Sequence, residues 1–126
     1  MHLALSETDE ALGYYEQALL IVQVIGDRLG KANCLKSFGD YHRQQEDYKT
    51  AFSQYEAAAV LFGKIGNREG QAECLEGFAK FHEAKGEADK AAETWEKAAE
   101  LYNTLGMPKR ALPCAEAAER LRGNGL

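Results

Sequence analysis

The stretches CLKSFGDYHR (34–43) and CLEGFAKFHE (74–83) lie 40 residues apart and agree at Cys, Leu, Phe and His. The same interval returns along the chain. His2, His42 and His82 obey it, as do Cys34, Cys74 and Cys114. So do Ala11, Ala51 and Ala91, then Tyr15, Tyr55 and Trp95, then Ala18, Ala58 and Ala98, then Gly26, Gly66 and Gly106. A fixed period of about 20–50 residues marks a repeat array. Each unit of such an array buries its apolar face only against its neighbours, which makes the chain a scaffold before anything else.

Each period holds two helices. The apolar spacing predicts helices over 28–45, 48–65, 68–85 and 88–105, preceded by one over 9–25. Strand signals are poor, so the fold is expected to be all-α. Gly26, Gly66 and Gly106 follow apolar helices where a left-handed residue ends the helix. Asp27 and Asn67 come next and suit N-caps. In the third copy Met107 takes the cap position and Pro108 the first helical turn. Pro113 falls inside the last helix, where it removes a backbone bond. A kink is expected there, or a helix that starts only near Leu112. Ala51 and Ala58 flank Tyr55 on one helix face, and Ala91, Trp95 and Ala98 repeat the arrangement.

These residues carry a resemblance. Leu35-x-x-Phe38-Gly39-x-x-His42 followed by Tyr48-x-x-Ala51-x-x-x-Tyr55-x-x-Ala58 resembles the tetratricopeptide repeat. Leu75, Phe78, Ala79, His82, Gly86, Ala91, Trp95 and Ala98 give a second copy. The period of 40 is similar to the long-repeat variety found in rapsyn and in the scaffold that orients the mitotic spindle. The departures are His42 and His82 in place of Tyr, Ala79 in place of Gly, and a degenerate third copy at Ala115, Ala118 and Glu119. The resemblance implies a right-handed α-solenoid of about six helices. The expected division is one domain over 1–126, with a partial repeat at 1–26, repeats at 27–66 and 67–106, and a capping helix at 107–126.

The register also speaks to the ends. His2 matches residues that close the first helix of a pair, so Met1–Leu5 reads as the last turn of a helix that is mostly missing. The chain is then expected to be a fragment of a longer array, or one lacking its first helix. Leu20 aligns with Val60 and Glu100, and Val24 with Lys64 and Thr104. The segment 19–25 is apolar nearly all round, implying burial on more than one side. Upstream repeats or a second copy of the chain would cover it, and Gln17, Leu20 and Val24 are the residues expected to mediate self-association. At the other end, Glu116, Glu119, Arg120 and Arg122 make the last helix polar, and Gly123-Asn124-Gly125 ends it.

Composition narrows the function. The formal charge of −5 and pI near 5.2 lack the basic patch that nucleic-acid binding shows. No apolar run approaches the roughly 18–20 residues that span a bilayer, and 1–5 does not resemble a signal peptide, so a cytoplasmic protein without membrane insertion is expected. Cys34 and His42 lie eight helical residues apart, about 12 Å, too far to share a zinc ion. Cysteines are therefore read as small packing residues. No phosphate loop, nucleophile elbow or ligand cluster occurs, so neither enzymatic activity nor a cofactor is expected.

The functional surface must then be a face. The resemblance implies a concave groove lined by the first helix of each pair and open to a protein or peptide segment. Residues expected there are Asn33, Lys36, Ser37, Asp40 and Arg43, then Glu73, Glu76, Gly77, Lys80 and Glu83, then Glu116 and Arg120. The family's carboxylate clamp for chaperone tails needs basic residues and Asn from successive repeats. Lys36 matches one position, but Asp40 and Glu76 do not. Mixed charge with an acidic bias toward the C-terminal end favours a segment carrying Lys or Arg.

Overall fold

The computed structural model describes residues 7–25 and 27–123, with side chains outside 7–9, 11 and 22–25. Six helices follow one another: α1 Glu7–Ile25, α2 Arg28–Gln44, α3 Tyr48–Lys64, α4 Arg68–Ala84, α5 Ala88–Thr104 and α6 Pro108–Leu121. The described residues contain no strand. The chain is an all-α helical repeat, and the helix bounds agree with the sequence pattern to within about two residues. His2, Met1–Leu5, Gly26, Asn124 and Gly125 lie outside the described residues, as does the side chain of Val24.

The helix ends explain this agreement. Asp27 accepts from the Gly30 amide at 2.8 Å and Asn67 from the Gly70 amide at 2.7 Å, satisfying donors that a helix start leaves open. Asp47 does the same for Thr50 at 3.3 Å. At the C-termini, Gly66, Gly86 and Gly106 take φ of 71°, 77° and 73°. Their amides and those that follow reach back to the last turn in the Schellman pattern, as in Gly106 to Asn103 at 3.0 Å and Met107 to Tyr102 at 2.8 Å. The α2 terminus makes the same two bonds, Glu46 to Arg43 and Asp47 to His42. Here, however, the left-handed residue is Glu46 at φ 64°, where its Cβ crowds the backbone. Glu46→Gly is expected to raise stability by about 1 kcal/mol and the melting temperature by about 4 °C. Parallel thermal melts followed by circular dichroism test this, and an unchanged or lower midpoint would contradict it.

Of the two alternatives for the last helix, the late start fails. α6 starts at Pro108, with Met107 as cap, and runs through Pro113, rather than beginning near Leu112. Proline tolerates the first turn, and the amide bonds from Arg110 and Ala111 to Met107 O, both 3.1 Å, establish the helix there. Pro113 removes only the amide that would reach the Lys109 carbonyl, and both residues are exposed.

The chain forms two compact units, Met1–Leu61 and Phe62–Leu126. In the first, Ala32, Phe38, Ala51, Tyr55 and Ala58 are buried, and Tyr15 meets Phe38 edge-on with ring centres 6.0 Å apart. In the second, Ala72, Ala79, Ala91, Trp95, Ala98, Tyr102, Ala111 and Cys114 form a continuous core. The small residues set how closely the helices approach. A Cβ added at Gly39 would sit 2.7 Å from the Tyr55 ring, and one at Gly70 would sit 2.2 Å from the Phe62 ring. Cys74 and Cys114 are buried and Cys34 half-buried, all as free thiols. Burial pushes the Cys114 thiol up to about 11, as befits a packing residue.

Candidate functional site

The expected face comes from the first helix of each pair, and most of its charged side chains already have partners. In the first unit, Asp40 accepts from the Tyr55 hydroxyl at 2.6 Å, and Arg43 Nε donates to the same oxygen at 3.1 Å. The Tyr55 ring is fully buried. Burial and then the Asp40 bond hold its hydroxyl well above the usual tyrosine range. Asp40 and Arg43 thus anchor a core aromatic as much as they face solvent. Asn33 is exposed, and Lys36 and Ser37 are half-buried.

The second unit repeats the device with different residues. Glu83 accepts from Trp95 Nε1 at 2.6 Å and from Arg120 at 3.3 Å. Glu76 accepts from the Tyr102 hydroxyl and from Arg110 at 2.9 Å. Arg110 also donates to the Tyr102 oxygen at 2.7 Å and lies over that ring, 4.7 Å from its centre. Glu76 and Glu83 therefore join α4 to both α5 and α6. Lys80, Glu116 and Arg120 are exposed, and Glu73 is half-buried. Gly77 is buried and does not belong to the face as the sequence reading had it, because α4 turns that position inward.

The sequence reading missed Arg110, Tyr55, Trp95 and Tyr102 as partners of this face. A signal existed. Gln54 to His42, Tyr55 to Arg43 and Trp95 to Glu83 each join residues 12 apart, the spacing that brings the end of one helix beside the first turns of the next.

The proposed self-association residues also find places. Gln17 is exposed, and Leu20 and Ile21 are 64% and 60% exposed. The positions matching Leu20, namely Val60 in α3 and Glu100 in α5, are exposed too. Further repeats of the same design would leave Leu20 open. Tyr14 and Ile21 differ: their counterparts Gln54, Thr94, Leu61 and Leu101 are half-buried.

Among the described residues, two acids have lowered pKa values. Glu87 is held below the ordinary carboxylate range by the hydrogen bond from His82 (2.8 Å), and Glu96 by the two 2.9 Å bonds from Arg122. A lowered acid adds stability that is present above its ordinary value of 4.5 and is lost as pH falls through the folded value. Glu96→Gln is therefore expected to melt below wild type at pH 7 and to converge with it as the pH falls below 4.5 and through the lowered value. Melts across that range check this; a gap that persists in acid would refute it.

Among the described residues, no three His, Cys, Asp or Glu side chains form a metal-holding group, and no helix is long and apolar enough to cross a membrane. The family model for the tetratricopeptide repeat matches residues 1–64. No curated protein matches the chain in sequence. Among solved structures, the crystal structure of BtubC (BKLC) from P. vanneervenii is similar, with a TM-score of 0.63 and 18% identity over 93% of this chain. The chain spans 57% of that protein's length, and at this identity the likeness speaks to fold alone.

Proposed function

The chain belongs to the tetratricopeptide repeat family, whose members serve as protein–protein interaction scaffolds, and on that premise we propose that it is a non-catalytic adaptor module. Its first-helix faces receive a protein or peptide segment bearing Lys or Arg. The observation that carries this reading is the second unit's α4–α6 face. Glu76 and Glu83 are pinned there by core aromatics and arginines, while Lys80, one turn from each on α4, and Glu116 on α6 stand exposed. Charges held on a rigid frame lose little entropy when a partner docks. The cytoplasm is the proposed setting.

An array of immobilised 15-residue peptides of graded charge tests it. Retention should rise with Lys and Arg content. Glu116→Lys should weaken binding several-fold, and Lys80→Glu should strengthen it. Retention indifferent to peptide charge, or to both substitutions, would sink the reading.

The exposure of Leu20 and Ile21 favours a second reading, homodimerisation through α1. Light scattering across a concentration series should then show a dimer that dissociates on dilution and that Leu20→Glu abolishes. A monomer at all concentrations would rule it out.

A further inference from the structure

A cleft of about 400 Å³ opens in the first unit, lined by none of the residues assigned to the groove. Leu12, Leu19 and Leu20 of α1 and Phe38 of α2 form its apolar walls, and Glu16, His42 and Gln54 its polar rim. The His42 Nδ1 lies 3.0 Å from the Phe38 carbonyl and 2.7 Å from the Gln54 side-chain oxygen. A carbonyl only accepts, so Nδ1 carries the proton and Nε2 is the acceptor in the neutral ring. Glu16 makes no hydrogen bond or ion pair among the described residues.

The second unit contains the same four positions two periods, 80 residues, further on. Glu96 matches Glu16, Ala99 matches Leu19, Ala118 matches Phe38 and Arg122 matches His42, and these residues also line one cleft. There the carboxylate is not free. Arg122 clasps Glu96 with two bonds of 2.9 Å, the fork geometry that guanidinium makes with carboxylate. The first unit replaces that arginine by histidine and the two alanines by Leu19 and Phe38. It thereby gains apolar wall and loses the internal partner of the acid. Helix α1 carries Glu7, Asp9, Glu10 and Glu16 and no lysine or arginine, so nothing on it supplies the missing cation.

We propose that this cleft is a second docking site, which receives a partner helix presenting a leucine-sized side chain with an arginine one turn away. The apolar side chain fills the space between Leu12, Leu19 and Phe38. The arginine takes Glu16 as Arg122 takes Glu96. Lysine, a point charge, would match the fork less well. The site is separate from the groove proposed above and does not depend on it.

The test is an amide NMR titration of the intact chain with an 18-residue alanine-based helical peptide carrying Leu and Arg four apart, and with its Arg→Glu twin. The first peptide should shift the signals of Leu12, Glu16, Leu19, Phe38 and His42. The twin should bind at least tenfold more weakly. Glu16→Gln, checked for an otherwise native spectrum, should erase that difference, and Leu19→Ala should weaken both peptides. The proposal is overturned if neither peptide shifts these signals, if both bind equally, or if the shifts map to α4–α6. It is also overturned if the same signals broaden when the protein alone is concentrated, which would assign the cleft to a second copy.

Discussion

Gly70→Ala is expected to destabilise the protein by roughly 2–3 kcal/mol. The new Cβ would lie 2.2, 2.4 and 2.6 Å from three Phe62 ring carbons. Phe62 is 1% exposed, so the ring has nowhere to go without repacking the helices. Alanine improves helix propensity by about 1 kcal/mol, which offsets part of the clash but not most of it. Urea denaturation should show a lower midpoint at unchanged slope. Phe62→Leu in the same chain should recover much of the loss, because the two residues share one contact. An additive double mutant would mean the clash is not the cause.

Glu76→Lys is expected to cost a further roughly 2–3 kcal/mol, although it looks like a surface charge reversal. It strands the Tyr102 hydroxyl, whose residue is fully buried, without its acceptor. It also sets an ammonium beside Arg110. That guanidinium is 43% exposed, so solvent screens the charge repulsion, and the hydroxyl proton left without an acceptor dominates the cost. Glu76→Gln, which can still accept from Tyr102, should lose less than half as much. Equal losses for both variants would show that the charge, not the hydroxyl, carries the effect. For mapping a ligand, Glu116 is therefore the better position to reverse, since it is exposed.

The fold was legible because its determinants are local and repeated. Asp27 and Asn67 before apolar runs, and Gly66 and Gly106 after them, fix helix bounds through backbone geometry that depends on a few neighbours. Glu46 escaped notice because its left-handed φ comes from the α2 terminus and not from its own preference. The candidate site was half legible. Asp40 and Arg43 fall on α2, and Glu76 and Glu83 on α4, as the helix pattern predicts. Their engagement with Tyr55, Trp95 and Tyr102 was not legible, because it depends on how neighbouring helices are rotated about their axes. The apolar stretch of α1 mixed two faces for the same reason. Only the exposure of Val60 and Glu100 separates Leu20 from Tyr14 and Ile21.

The bonds that join residues 12 apart have a kinetic consequence. Closing so short a loop takes little entropy, so α2 with α3, or α4 with α5, can zip as a hairpin soon after its helices form. Such local wiring makes for quick refolding and for native-state opening that proceeds hairpin by hairpin. In the second unit, the bonds from Glu76 to Tyr102 and Arg110 and from Glu83 to Arg120 span 26, 34 and 37 residues. Those longer staples tie α4, α5 and α6 into one cooperative block, whose amides exchange with solvent together.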